Sequence, residues 1–312
     1  MATAAEWLEG ARPRTLPTAI APVVAGTAIA IADGGARWEL ATLCLVVALG
    51  LVVGVNFAND YSDGIRGSDG EDRVGPLRLV GSGVAEPSHV EAAAFACFGV
   101  SAVAGLIITI MTGHWWFIIV GLACILAAWF YTGGSHPYGY AGLGETFVFI
   151  FFGLVAVLGT TYTQAKQLEL TTWAGAIGVG AIACAVLVVN NLRDIPSDTE
   201  AGKRTLAVRM GDRASRVFYA SLIGVSVLAV GVIALDYPLA LIALVALLAA
   251  VPAVRAVGGG ATGRALVPAL ASTGIYLLAY GVLLGTTGAL ALGMPRSGGD
   301  VAIGRIPWGG AS

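Results

Sequence analysis

The segment Asn56-Phe57-Ala58-Asn59-Asp60-Tyr61-Ser62-Asp63 places Asn56, Asn59, Asp60 and Asp63 at i, i+3, i+4 and i+7. On a helix this spacing gathers four oxygen-bearing side chains on one face. Like charges four residues apart repel, and a bound divalent cation reverses that sign. Carboxylate and amide oxygens suit a hard ion such as Mg²⁺, which is often held by one or two carboxylates plus phosphate oxygens. The plain alternative is a solvated helix end that binds nothing.

A second segment repeats the theme. Asn190, Asp194 and Asp198 stand at i, i+4 and i+8, and Asn191 precedes Asp194 by three. Pro196 disfavours helical geometry at Ile195, so a kink is expected between the two aspartates. Cations accompany both segments. Arg66, Arg73 and Arg78 interleave with Asp69, Glu71 and Asp72, ahead of a glycine-rich run ending at Gly83. Arg193, Lys203, Arg204 and Arg209 flank the second segment. Acidic stripes beside cations suit metal ions that bridge carboxylates to a diphosphate, with Lys and Arg meeting its outer oxygens. No G-x-x-x-x-G-K-[ST] pattern occurs, so the glycines do not form a P-loop.

The elements that carry these segments are read from composition. Of 312 residues, 57% are hydrophobic and 12% charged, against about 25% charged in a soluble domain. Mean hydropathy is +0.84. These values exclude a disordered chain, a nucleic-acid binder and an ordinary soluble enzyme, and indicate an all-α integral membrane protein. Nine apolar stretches read as transmembrane helices, near 15–33, 38–59, 90–111, 114–132, 143–163, 171–192, 214–235, 237–256 and 265–292. Both acidic segments end a span. Their loops, about 60–89 and 193–213, hold most of the charge. Apolar spans beneath them would hold a lipid tail, so the expected substrate is a lipid diphosphate.

Lys and Arg set the orientation. Only Arg37, Lys166, Arg296 and Arg305 fall on the side opposite the acidic loops. The reading is a multi-pass protein of the cell (inner) membrane, N-terminus cytoplasmic, C-terminus outside. Residues 1–294 read as one transmembrane domain. The Gly-, Pro- and Ser-rich stretch 295–312 reads as a flexible tail without a catalytic role. Cys44, Cys97, Cys124 and Cys184 all sit in apolar stretches and read as small buried hydrophobes.

Asn59-Asp60-Tyr61-Ser62-Asp63 and Asp194-Ile195-Pro196-Ser197-Asp198 resemble the paired acidic motifs of the UbiA-type intramembrane prenyltransferases. Span count and motif placement agree over nearly the whole chain. Arg12-Pro13-Arg14-Thr15-Leu16-Pro17, Gly75-Pro76-Leu77-Arg78, Tyr131-Thr132-Gly133-Gly134 and Gly142-Leu143-Gly144-Glu145 are similar to the branch that prenylates 1,4-dihydroxy-2-naphthoate. The resemblance implies a nine-helix UbiA-type bundle and Mg²⁺ held by Asp60, Asp63, Asp194 and Asp198. It implies a polyprenyl diphosphate donor and a demethylmenaquinone product.

Around that core, Asn59, Arg66, Arg78, Arg193 and Lys203 are candidates for the diphosphate. Asn56, Tyr131, Glu145, Asn190 and Asn191 are candidates for the acceptor. Asp69 or Asp72 is a candidate to take a proton from it. A different acceptor, such as 4-hydroxybenzoate, shares the metal motifs. A membrane transporter is the rival from another class, though transporter sites usually sit near the bilayer midplane, and both acidic segments lie at span ends.

Overall fold

The computed structural model describes residues 2–67 and 77–291, with side chains to residue 286. Asp69, Glu71, Asp72, Arg73 and the tail 295–312 lie outside the described residues. Among the described residues there is no β-strand. The helices are α1 Ala4–Gly10, α2 Pro17–Ala32, α3 Trp38–Ile65, α4 Pro87–Thr112 and α5 Phe117–Phe130. Then follow α6 Gly144–Ala165, α7 Leu170–Arg193, α8 Ile195–Glu200, α9 Leu206–Asp236, α10 Pro238–Gly258 and α11 Val267–Ala291.

Each of the nine expected spans has a helix, but not all have the length of a span. Seven helices are long and apolar enough to cross a bilayer, and the bent pair Ala4–Thr15 and Pro17–Ala32 makes up to eight. The fourth stretch, expected over 114–132, contains a helix of only 14 residues, Phe117–Phe130. At 1.5 Å per residue it reaches about 21 Å, short of a ~30 Å hydrocarbon core. Its start is delayed because α4 stops at Gly113, whose φ of 75° is left-handed, and a turn at Trp115 and Trp116 follows.

α7 runs through the middle of the bundle. Its sequence, rich in Gly and Ala, lets neighbours approach closely, as small residues do between membrane helices. It packs against α6, α9 and α11. A Cβ on Gly153 of α6 would collide with the Gly180 backbone of α7, so that crossing requires glycine. At the same place α6 widens to π-helical geometry over Phe149–Leu158, a rare form often found at functional sites. Tyr219, Tyr276 and Tyr280 are fully buried nearby. Their hydroxyls meet Thr273, Ser226 and the Ser226 carbonyl, as polar groups out of water must. The outer surface is apolar. α5 buries no residue, and Ile119, Leu228, Leu235 and Leu248 are each more than 70% exposed. In a bilayer these side chains face lipid.

Candidate active site

One large cavity, about 2610 Å³, opens among α1 to α8 and the start of α11. Sites for drug-sized ligands run to about 300–1,000 Å³, so this volume suits something much longer. The two acidic segments meet at one end of it. Asp63, Asn59, Asp194 and Asp198 line the cavity, with Arg78, Arg193 and Lys203. The rest of the wall is mainly aliphatic and aromatic, including Leu51, Leu106, Ile125, Phe151 and Val155.

Asp63, in the last turn of α3, is paired with three different side chains. Its Oδ2 accepts from Arg78 at 2.9 Å, and its Oδ1 from Lys203 at 3.3 Å and from the Tyr140 hydroxyl. Lys203 comes from the loop after α8, so it ties the second acidic segment to the first. It also lies 4.5 Å from the centre of the Tyr140 ring, with Arg66 at 5.5 Å, a cation–π arrangement. Burial and the Asp63 charge push the Tyr140 phenol above its usual range, so it stays protonated and donates.

α7 ends at Arg193, Asp194 is its C-cap, and α8 starts at Ile195 with Pro196 in its first turn. The expected break between the two aspartates is present, and proline is suited to a helix start. Arg193 clamps the Asp194 carboxylate at 2.6 Å and the Asn190 amide oxygen at 2.9 Å. Asp198 is held less tightly: its Oδ2 accepts from Thr205 at 3.4 Å. Burial pushes its carboxyl up to about 6. Lys203 opposes that rise, while Asp194 and Asp63 add to it. The carboxylates of the two segments therefore feel each other across the cavity.

The expected site residues divide into three groups. Asp63, Asn59, Asp194, Asp198, Arg78, Arg193, Lys203, Asn190, Asn191 and Tyr131 line the cavity. Arg66 and Asn56 also line it, but their donors are already engaged. Arg66 donates to the carbonyls of Thr132 and Gly134, and the Asn56 amide donates to the Ala11 carbonyl and the Thr15 hydroxyl, both at 2.9 Å. Arg66 staples the loop after α5 to α3, and Asn56 holds the N-terminal segment.

Asp60 and Glu145 sit behind the wall. Asp60 is fully buried and turned away from the cavity, with both carboxylate oxygens filled by backbone amides. This departs from the expectation that Asp60 holds a metal. At 100° per residue Asp60 lies about 60° around the helix from Asp63, at the edge of the polar stripe. Glu145 is 4% exposed. Its Oε1 accepts from the Asn191 amide at 2.9 Å, and its Oε2 is buried without a partner. Asp69, the remaining candidate, lies outside the described residues.

Tyr140 was not among the expected residues, although it contacts Asp63, Lys203 and Arg66 together. No sequence period links position 140 to position 63. The one available signal is an aromatic pair, Tyr138 and Tyr140, in a short loop between spans.

The donor set sets limits on a metal. Among the described residues no three acidic side chains converge on a point that could hold an ion. The carboxylates stand on separate helices, and Lys203 and Arg78 both pair with Asp63. Such a set suits an ion that shares its ligands with an external phosphate, the usual habit of Mg²⁺, better than a closed protein cage.

Comparisons with known proteins agree with this architecture. The UbiA prenyltransferase family matches residues 19–261. The chain belongs to that family. It is a multi-pass membrane protein and a prenyltransferase. It is 52% identical over 293 residues to the 1,4-dihydroxy-2-naphthoate octaprenyltransferase of Mycobacterium tuberculosis, covering 94% of this chain and 99% of that one. It is 41% identical to the enzyme of the same name from Escherichia coli, over 70% and 72% of the two chains. Among solved structures, a UbiA homolog from Archaeoglobus fulgidus bound to DMAPP and Mg²⁺ superposes with a TM-score of 0.67 at 14% identity, covering 93% of this chain and all of that one. The fold of this UbiA prenyltransferase is thus shared with a distant homolog.

Proposed function

We propose that this prenyltransferase moves an all-trans polyprenyl group from polyprenyl diphosphate to 1,4-dihydroxy-2-naphthoate, with Mg²⁺ as cofactor. The observation that carries this reading is the polarity of the cavity. Acids and cations from two distant segments share one end, and a long apolar chamber lies beneath them. A lipid diphosphate has the same division. The 52% identity to a protein named for this reaction supports the acceptor.

Asp63, Asp194 and Asp198 would hold the metal, with Asn59 beside them. The ion supplies Lewis acidity at the diphosphate. Lys203, Arg193 and Arg78 balance the charge that grows on the leaving group, and the apolar wall keeps water from the allylic carbon. When the C–O bond breaks, diphosphate leaves with the electron pair. The ring carbon that bears the carboxylate attacks the prenyl carbon. Loss of CO₂ returns its bonding pair to the ring. The product is demethylmenaquinol, which becomes demethylmenaquinone by a separate two-electron oxidation.

Tyr131 and Asn191 form the acceptor end. Both line the cavity, and Glu145 fixes the Asn191 amide so that its oxygen is left for a ligand hydroxyl. We place the whole activity in residues 1–294, in the cell membrane. The N-terminus and both acidic loops are cytoplasmic; the short α5 also crosses, since Thr132 after it meets Arg66 after α3, and nine crossings put the C-terminus outside.

The test is incubation of the purified protein in detergent with Mg²⁺, octaprenyl diphosphate and either 1,4-dihydroxy-2-naphthoate or 4-hydroxybenzoate, read by mass spectrometry. The decarboxylated prenyl-naphthoquinone is expected from the first acceptor only. Prenylation of 4-hydroxybenzoate alone would overturn the acceptor. Absence of any prenylated product from folded protein would overturn the reading.

A further inference from the structure

Asp60 belongs to the acidic stripe by spacing, yet the fold gives it different work. Its Oδ2 accepts the Leu79 amide at 2.8 Å and its Oδ1 the Val80 amide at 3.0 Å. Two successive backbone donors therefore fill both oxygens of a carboxylate with no exposed surface. The bonds reach across about twenty residues of sequence, from α3 to the turn that leads into α4.

That turn is tied at several other points. The Arg78 carbonyl accepts from the Ser82 amide at 3.0 Å and from its hydroxyl. The Leu79 carbonyl accepts from Ala85 at 3.0 Å. The Leu79 side chain is fully buried in a small apolar cluster with Phe57, Val90 and Phe98. Val80 lies so close to α3 that a Cβ on Gly64 would strike it. The residue just before the anchored amides is Arg78, whose Nη2 reaches Asp63 at 2.9 Å. A charge-assisted bond to backbone N–H groups is among the stronger hydrogen bonds, and a buried arginine needs a fixed backbone to keep its aim.

We propose that Asp60 is a positioning residue and not a metal ligand: it clamps the Leu79–Val80 turn to α3 and so delivers Arg78 to Asp63 and the diphosphate. This rests on the reading that Arg78 serves the diphosphate end of the cavity. Asp60 and Asp63 then divide the work of one motif. Asp63 faces the ligand, and Asp60 shapes the loop that completes its surroundings.

Asp60→Asn keeps the size but turns one acceptor into a donor facing a backbone N–H. The full-length protein in detergent is compared as wild type, Asp60→Asn, Asp63→Asn, Arg78→Ala and the Asp60→Asn/Arg78→Ala double variant. Two quantities are read: KM for polyprenyl diphosphate, and the Mg²⁺ concentration giving half-maximal rate. Asp60→Asn is expected to raise KM roughly tenfold, the scale of one lost buried hydrogen bond. Its Mg²⁺ midpoint should stay within about twofold of wild type, and the double variant should be no worse than Arg78→Ala by more than about twofold, because both act through one group. Asp63→Asn should shift the Mg²⁺ midpoint.

An Asp60→Asn midpoint that moves as the Asp63→Asn one does, or an effect that adds fully to Arg78→Ala, would overturn the proposal. If Asp60→Asn has no thermal transition, Asp60→Glu is measured, with the same expectation and the same contrary result. Binding of inorganic diphosphate in the presence of Mg²⁺ is read on all variants. It requires no turnover, so it tests Asp60 even if the proposed reaction fails: weakened binding by Asp60→Asn at an unchanged Mg²⁺ requirement supports the clamp, and undiminished binding overturns it.

Discussion

Asp63 at the end of α3 and Asp198 on α8 close similar motifs, yet the protein treats them differently. Asp63 is enclosed by Arg78, Lys203 and Tyr140. Asp198 is half-buried with one long hydrogen bond, and its carboxyl is pushed up to about 6, chiefly by burial. The first acid belongs to a network the fold has already completed. The second keeps one long bond, from Thr205. Charge that the protein neutralises itself supports structure as well as function; charge held only loosely points toward a ligand. Lys203 joins the two, bonding Asp63 and opposing the rise at Asp198.

The largest expected effect is at Asp63. Asp63→Asn should slow prenyl transfer about 10³-fold, the scale of losing a group that stabilises charge in a transition state. It should also destabilise the fold by about 3 kcal/mol, because the buried pair of Asp63 with Arg78 loses its negative member. Initial rates and thermal unfolding measure the two. Asp198→Asn should slow the reaction by about 10²-fold while leaving stability within about 0.5 kcal/mol, since few protein contacts depend on it. If the two variants destabilise equally, the contrast between the ends fails.

Tyr140→Phe keeps the ring under Lys203 and removes the hydroxyl that donates to Asp63. A rate loss of about fivefold is expected, from one hydrogen bond of about 1 kcal/mol, measured as kcat at saturating Mg²⁺. Removal of residues 296–312 should leave turnover within about twofold of wild type, as trimming a polar chain end does. A larger loss in a folded truncation would bring the tail into the account.

Much of this was legible in the sequence because membrane helices announce themselves. Apolar runs of about twenty residues are hard to place anywhere but in a bilayer, and each expected stretch contains a helix. The exception is one of length: Gly113 and the Trp115–Trp116 turn shorten α5, and a hydropathy window does not register a left-handed stop. At the site, helical spacing grouped Asn59 with Asp63, and both line the cavity. It also included Asp60, because a 3.6-residue period defines a stripe about 100° wide and not the side of it a loop will cover. The Leu79–Val80 turn decides that, and its approach is a long-range event without a periodic signature. Tyr140 escaped for the same reason: its contacts with residues 63 and 203 exist only after α3, α7 and the intervening loop have been packed.

The central claim is that two acidic segments form one diphosphate site that works through a divalent ion. Equilibrium binding of an unreactive prenyl thiolodiphosphate to the full-length protein tests this most directly, with and without Mg²⁺, in wild type, Asp63→Asn and Asp198→Asn. Binding should require Mg²⁺, and either substitution should weaken it at least about tenfold, as expected when one charge-assisted contact is lost. Tight binding in EDTA, or an Asp198→Asn variant that binds like wild type, would contradict it.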